Sequence, residues 1–229
     1  MSIVELQCVD AIATLTLNRP TVHNALDEAL IAELTNAIKK ASADEAVRVV
    51  VLAGKGASFC AGADLDWMRR AAAFSEPHNL DDARRLAQLL DVLARCPKPT
   101  IARVQGAAIG GGAGLVAACD FAIATHDAHF AFSEAKLGLV PAVISPYVIR
   151  AIGPRAAQRL FLTAQKISAD QACALGLVSE VVDAETDPDL ALSFLIRTLK
   201  TCGPQALAEI KALIAQVADR PITPELIEH

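Results

Sequence analysis

Glu134 stands in Phe132-Ser133-Glu134-Ala135-Lys136-Leu137-Gly138-Leu139, directly after a short apolar run and before a Gly/Pro loop. A carboxylate at a strand end facing an apolar cleft has its pKa raised and is suited to moving protons. The competing reading is a surface glutamate paired with Lys136. Two glycine-rich segments offer a different chemistry. They are Ser58-Phe59-Cys60-Ala61-Gly62-Ala63-Asp64-Leu65 and Gly106 to Gly114, and each follows an apolar run and opens a helix. Small residues leave backbone N–H groups uncovered there, and the helix start adds partial positive charge. Such turns hold anionic oxygen, and two brought together from distant parts of a chain can aim two donors at one developing oxyanion. The alternative is that these glycines only let helices pack closely on strands.

Other chemistries find little support. Neither turn has the phosphate-loop spacing GxxxxGK followed by Ser or Thr, and Gly110-Gly112 makes a poor dinucleotide fingerprint. His126 and His129 flank Asp127-Ala128 without a carboxylate cluster, so the metal expectation is none. The six cysteines, Cys8, Cys60, Cys96, Cys119, Cys173 and Cys202, form no CxxC pair and read as reduced thiols of a cytoplasmic protein. No Ser/His/Asp constellation is legible.

The elements that must position these residues follow from patterning. Ile3 to Cys8 and Ala11 to Leu17 read as a hairpin. Leu26, Leu30, Leu34 and Ile38 mark one face of a helix from Ala25 to Ala41, and Val47 to Ala53 reads as a strand buried on both faces. A short helix starts from Asp64, and Asn79 is placed to cap the next one, which buries Leu86, Leu89, Leu90 and Leu93. Strands are expected at Thr100 to Val104, Phe121 to Ala124, His129 to Phe132 and Leu177 to Val182. Helices are expected at Ser145 to Ile152, Pro154 to Thr163, Ser168 to Leu175, Pro188 to Thr201 and Pro204 to Val217. Alternating strands and helices imply a largely parallel α/β core, with a helical final third packed on it or on a neighbouring subunit.

The 229 residues are 53% hydrophobic and 21% charged, which excludes a disordered chain and allows a large core. The 21 Lys and Arg stand against 26 Asp and Glu, a net charge of −5, so neither nucleic acid nor an anionic membrane is expected as a partner. The richest apolar stretch, Ile101 to Ala118, is broken by Arg103, Gln105 and glycines, and is no membrane span. The first residues lack a basic region followed by an apolar run, so no signal peptide is expected.

Phe59 to Leu65, Gly106 to Asp120, and Ser133-Glu134 through Leu139-Val140-Pro141 fall in the order and spacing of a known family. Asn18-Arg19-Pro20 with Asn24-Ala25-Leu26, and Ala172 to Val178, extend the match. On these motifs the chain resembles the enoyl-CoA hydratase/isomerase (crotonase) family. Asp66 to Arg70 and Pro141 to Val148 look closest to hydratases of methylglutaconyl-CoA and isohexenylglutaconyl-CoA. The resemblance implies a spiral of ββα units over residues 1–183 carrying the CoA site. It also implies a helical region over 184–229 that mediates trimers or hexamers. Since the family continues with a further helix, that region is expected to be truncated here.

The resemblance further implies that the carbonyl oxygen of a bent CoA thioester accepts hydrogen bonds from the N–H groups of Ala63 and Gly111, with Glu134 as acid/base. Val22 and Ala25 are implied near the adenine and phosphate end, and Ala61, Gly62, Asp64, Leu65 and Asp66 around the pantetheine. No cofactor is expected beyond the CoA of the substrate. Family hydratases commonly carry two glutamates; this chain has Gly114 where the first would stand. Tyr147 and Ser145 are candidate helpers, and Arg69 and Arg70 are candidates to receive a distal carboxylate. The expected activity is an enoyl-CoA hydratase, a hydro-lyase acting on a branched 2-enoyl-CoA. The alternatives are an enoyl-CoA isomerase that uses one glutamate as a proton shuttle and a non-catalytic CoA-binding homologue.

Overall fold

Alternating apolar residues build the opening hairpin. Strands β1 (Val4–Val9) and β2 (Ile12–Leu17) pair antiparallel, and β2 buries Ala13, Leu15 and Leu17. Asp10 and Ala11, both at positive φ, make the two-residue turn whose twist matches the strands. The computed structural model describes residues 2–183, 188–218, 220 and 223. Helix α1 (Glu28–Ala43) starts three residues later than the apolar period suggests, because the Asp27 carboxylate caps it by accepting from the Leu30 N–H at 2.8 Å. Leu30, Leu34, Ile38 and Ala41 form its buried stripe.

Strand β3 (Val49–Gly54) is buried along its whole length, as its β-branched run predicts. Val50 and Leu52 face one cluster with α1, while Val49 and Val51 face a second with Ile101, Ile123, Ile196 and Leu199. Helix α2 (Leu65–Ala71) follows, then α3 (Glu76–Ala94). Asn79 does not cap α3: Ser75 takes that position, because Pro77 suits the first turn and lets the helix start earlier.

The chain continues through β4 (Thr100–Val104), β5 (Ala107–Ile109), α4 (Gly111–Ala118), β6 (Phe121–Thr125) and β7 (His129–Ala131). Then come α5 (Ser145–Thr163), β8 (Ile167–Ser168), α6 (Ala169–Ala174), β9 (Glu180–Val182), α7 (Pro188–Thr201) and α8 (Pro204–Val217). Gly153, at φ 75° and ψ 160°, breaks α5 into the two helices that its Gly-Pro step predicts. The strands β5 and β8 are too short, and β5 too glycine-flanked, to show in the sequence pattern.

Six strands form one sheet in the order β1-β2-β3-β4-β6-β9, parallel except for β1; β5, β7 and β8 form a second. From β4 the chain crosses to β5 and enters α4; from β6 it crosses to β7 and leads on to α5. An extended stretch after β3 does the same, bridging Cys60 to Ala108 before α2. This is the expected spiral of ββα turns with a helical C-terminal region. Beyond residue 183, Ile196 and Leu199 of α7 cover the second face of the large sheet. Helix α8 exposes Ile210, Leu213 and Ile214 and is tied to the core by Lys211, 2.5 Å from Asp120. Among the described residues no helix is long and apolar enough to cross a membrane.

Candidate active site

The first glycine turn is stitched on both sides. On one side the Phe59 and Cys60 N–H groups donate to Gln105 and Ala107, and Ile109 N–H donates to Cys60. On the other, Leu26 N–H donates to Gly62 at 2.7 Å and Asp64 N–H to Leu26 at 2.8 Å. Alternate residues of an extended segment turn their backbone groups to opposite sides. Since Gly62 and Asp64 both bond Leu26, the intervening Ala63 N–H points away from it. It meets no acceptor among the described residues.

The second turn delivers the other donor. Gly110, at φ 50°, turns the chain from β5 into α4, so Gly111 begins the helix with its N–H free of any intrahelical acceptor. A Cβ on Gly62 would lie 2.9 Å from the Ile109 carbonyl, and one on Gly111 would lie 2.8 Å from Leu26 Cδ1. The two turns therefore touch, with Leu26 against both. Glycine is required here for the approach itself.

Both turns open on one cavity of about 640 Å³. Leu26, Trp67, Met68, Leu86 and Ile144 are among its apolar walls. Trp67, Ser133, Glu134 and Lys136 are the residues with polar side chains that line it. Glu134 begins a single 3-10 turn, Glu134–Leu137, after β7. Its Oε1 lies 3.1 Å from where a Gly110 Cβ would be, so the carboxyl abuts the second turn. Its Oε2 is buried without a hydrogen-bond partner. Burial holds the carboxyl above the ordinary glutamate range, against the opposing pull of its own backbone N–H. Lys136 forms no ion pair with Glu134 among the described residues.

Of the residues expected to touch substrate, the fold brings Ala61, Gly62, Ala63, Leu65, Gly111 and Glu134 to this cavity. Val22, Ala25, Asp64, Asp66, Gly114 and Tyr147 do not line it. Val22 sits in an exposed turn, and Ala25 is buried beside Leu26. Asp64 caps α2 and, with Asp27, holds Arg19 at 3.1 and 3.0 Å. Burial opposes the charge on Asp64, but the N–H groups of Trp67 and Asp66 and the Arg19 guanidinium outweigh it and lower its pKa. Asp66 pairs with Arg69 on the surface, and Arg70 pairs with Glu28, so neither arginine lines the cavity. Tyr147 and Ser145 line a separate cleft between α3, α5 and α8.

Gly114 faces Ile144, whose Cγ2 would be 2.4 Å from a Cβ added there. The space a side chain at 114 would need is thus already apolar and filled. Sequence reasoning passed over Ile144, which sits among small and apolar residues with no signal of its own. Asn24, named in the sequence only as part of a motif, has a buried amide that accepts from the Arg19 N–H and donates to the Lys55 and Ser58 carbonyls. The Asn18-Arg19-Pro20 and Asn24-Ala25-Leu26 motifs thus brace the first turn, and Leu26 is also a wall of the cavity. Cys60 lies beneath that turn, and burial pushes its thiol up to about 12, so it stays protonated. Among the described residues no cluster of His, Cys, Asp or Glu could hold a metal ion.

Residues 7–227 match the enoyl-CoA hydratase/isomerase family profile. The chain is 36% identical to an enoyl-CoA hydratase of Alternaria alternata over 86% of its own length and 64% of the relative's. It is 35% identical to the human mitochondrial Delta(3,5)-Delta(2,4)-dienoyl-CoA isomerase, covering 92% of this chain and 67% of that one. It thus spans about two thirds of the length of these relatives. An enoyl-CoA hydratase structure from Shewanella pealeana superposes with a TM-score of 0.96 at 40% identity, covering 100% of this chain and 85% of that chain.

Proposed function

The chain belongs to the enoyl-CoA hydratase/isomerase family, and on that premise we propose that it adds water across the 2,3 double bond of a 2-enoyl-CoA. The observation that carries this reading is the Glu134 carboxyl in the cavity that Ala63 and Gly111 also line, its Oε2 buried without a hydrogen-bond partner and its Oε1 against Gly110. The Ala63 and Gly111 amides receive the thioester oxygen and stabilise the enolate as it forms. Removing one such donor costs about 3 kcal/mol of barrier. Glu134 takes a proton from the attacking water and returns one to the α-carbon. Its raised pKa brings it nearer neutrality, where both transfers are efficient.

A second reading, isomerisation, is favoured by Ile144 filling the space beside Gly114. One carboxylate in an apolar cavity suits moving a proton between two carbons, with no second carboxylate to hold water. The two readings share every residue and differ in the product. Incubation with crotonyl-CoA tests hydration: loss of the conjugated-thioester absorbance with formation of 3-hydroxybutyryl-CoA supports it. For a longer enoyl-CoA, a shifted double bond without uptake of labelled water rejects it. If no acyl-CoA is turned over and Glu134→Gln leaves CoA binding unchanged, the protein is a non-catalytic binder.

A branched, methylglutaconyl-CoA-like substrate is a narrower part of the proposal. Its distal carboxylate needs a cation, and Lys136 at the cavity is placed to supply one, whereas Arg69 and Arg70 are paired elsewhere. Assembly into trimers or hexamers through the helices of 184–229 belongs to the same proposal, as does the absence of any cofactor beyond substrate CoA.

A further inference from the structure

Helix α2 forms one wall of the cavity, yet none of its seven residues is buried. Trp67 packs partly buried against the main core, and one polar contact ties its ring to α3: the indole N–H donates to Asp82 Oδ2 at 3.3 Å. Asp82 is 5% exposed, and its other oxygen accepts from Arg85 Nη1 at 2.8 Å. A buried carboxylate with one oxygen on an arginine and the other on an indole has a fixed orientation, and it transmits that orientation to the ring. Trp67 and Met68 from α2, with Ala83 and Leu86 from α3, line the cavity on the two sides of this contact.

We propose that Trp67 is the specificity-determining wall for the acyl chain, and that Asp82 is the positioning residue that sets its place by clamping the indole across α2 and α3. This rests on the reading of the cavity as an acyl-CoA site, but not on which reaction follows. An indole held by one hydrogen bond limits how far an acyl chain extends between α2 and α3. Loss of the clamp lets α2 move outward and admits longer chains. A difference of a methylene or two in an apolar pocket changes discrimination by about tenfold or more, which is the scale of effect expected.

Trp67 is the one tryptophan of the chain, so its emission reports this wall alone. Saturated butyryl-CoA and octanoyl-CoA cannot be hydrated or isomerised, and they separate binding from chemistry. The protein is titrated with each and with free CoA, following emission and measuring dissociation constants by calorimetry. The acyl-CoAs are expected to shift the emission and free CoA to leave it unchanged. In Asp82→Ala the free protein emits at longer wavelength, and the ratio of dissociation constants moves about tenfold toward octanoyl-CoA. Asp82→Asn, which keeps an acceptor oxygen, stays near the parent protein in both readouts. Trp67→Phe, which keeps the ring and loses the donor, moves the calorimetric ratio in the same direction as Asp82→Ala and serves where that variant does not fold. Emission that responds to free CoA as to octanoyl-CoA overturns the proposal, as does an unchanged ratio in Trp67→Phe. Enoyl-CoA turnover failing while these shifts are seen rejects the proposed reaction and leaves this wall standing.

Discussion

Gly114 and Ile144 exclude one another's side chains: a Cβ on Gly114 would come within 2.4 Å of Ile144 Cγ2 and 2.9 Å of its Cβ. Ile144 is 3% exposed at the start of α5, so it has no room to withdraw. A glutamate placed at 114 alone is expected to destabilise the protein by about 3 kcal/mol through overpacking, read from denaturant unfolding. Adding Ile144→Gly opens the space, recovers much of that loss, and raises the ratio of hydrated to isomerised product. A double variant as unstable as Gly114→Glu alone would show that the obstruction lies elsewhere.

Glu134→Gln keeps the shape and removes the proton carrier. Turnover is expected to fall roughly 10²–10⁴-fold with little change in acyl-CoA binding. In the parent protein, burial raises the Glu134 pKa, so the acid limb of kcat/KM lies at higher pH than for an ordinary glutamate. A limb at the usual glutamate range, or one retained in Glu134→Gln, assigns the titration to another group.

The same substitution has an opposite effect on stability. A carboxyl whose pKa is raised by folding binds its proton more tightly in the native state. Its favourable contribution is present below the unfolded pKa and is lost as pH rises through the folded one. At pH 7 the parent therefore carries a desolvated charge that Glu134→Gln lacks. The variant is expected to melt higher than the parent at pH 7, with the gap narrowing toward pH 4. A gap that widens in acid contradicts the burial of this group.

Gly110 has positive φ, and its missing Cβ leaves room for Glu134 Oε1 at 3.1 Å. Gly110→Ala is expected to cost about 1–2 kcal/mol for the left-handed backbone. It also displaces the carboxyl, lowering kcat more than it raises KM. Equal kcat with a pure stability loss would mean that Glu134 does not depend on this turn.

Arg19 holds Asp27 and Asp64 with side chains only 14–19% exposed, and its Nη1 donates to the Ala25 carbonyl at 2.6 Å. Arg19→Ala leaves two nearly buried carboxylates unpaired and is expected to cost about 3 kcal/mol. The Asp64 pKa is lowered in the fold, so its contribution is present above the unfolded pKa and lost as pH falls through the folded one. The difference between variant and parent melting temperatures should thus shrink in acid. Activity is expected to fall too, because this clamp supports the turn that carries Ala63.

Much of the scaffold was legible because it rests on local rules. The hairpin, the doubly buried strand β3, the break at Gly153 and the starts of α7 and α8 all follow from residue type and period. Glu134 and the two glycine turns announced themselves by composition, and their family motifs assigned roles to them. Three kinds of feature did not show. The strands β5 and β8 are too short for a period. Asn79 looked like a cap, but Pro77 let α3 start before it. Tyr147 looked like a helper near the site, but the helix it rides turns it to a different cleft.

Residue order alone thus determined the kinds of chemistry available: free amides at glycine turns, one carboxyl after a strand, and an apolar surround. Which of these meet was decided only by the tertiary structure. Leu26 and Gly111 are far apart in the chain, yet lie in van der Waals contact because the crossings between the two sheets bring both turns to one edge. Ile144 reaches Gly114 for the same reason, and Asp82 meets Trp67 across two helices. Local pattern encodes backbone conformation and burial; contact between distant side chains depends on packing, which no single segment specifies.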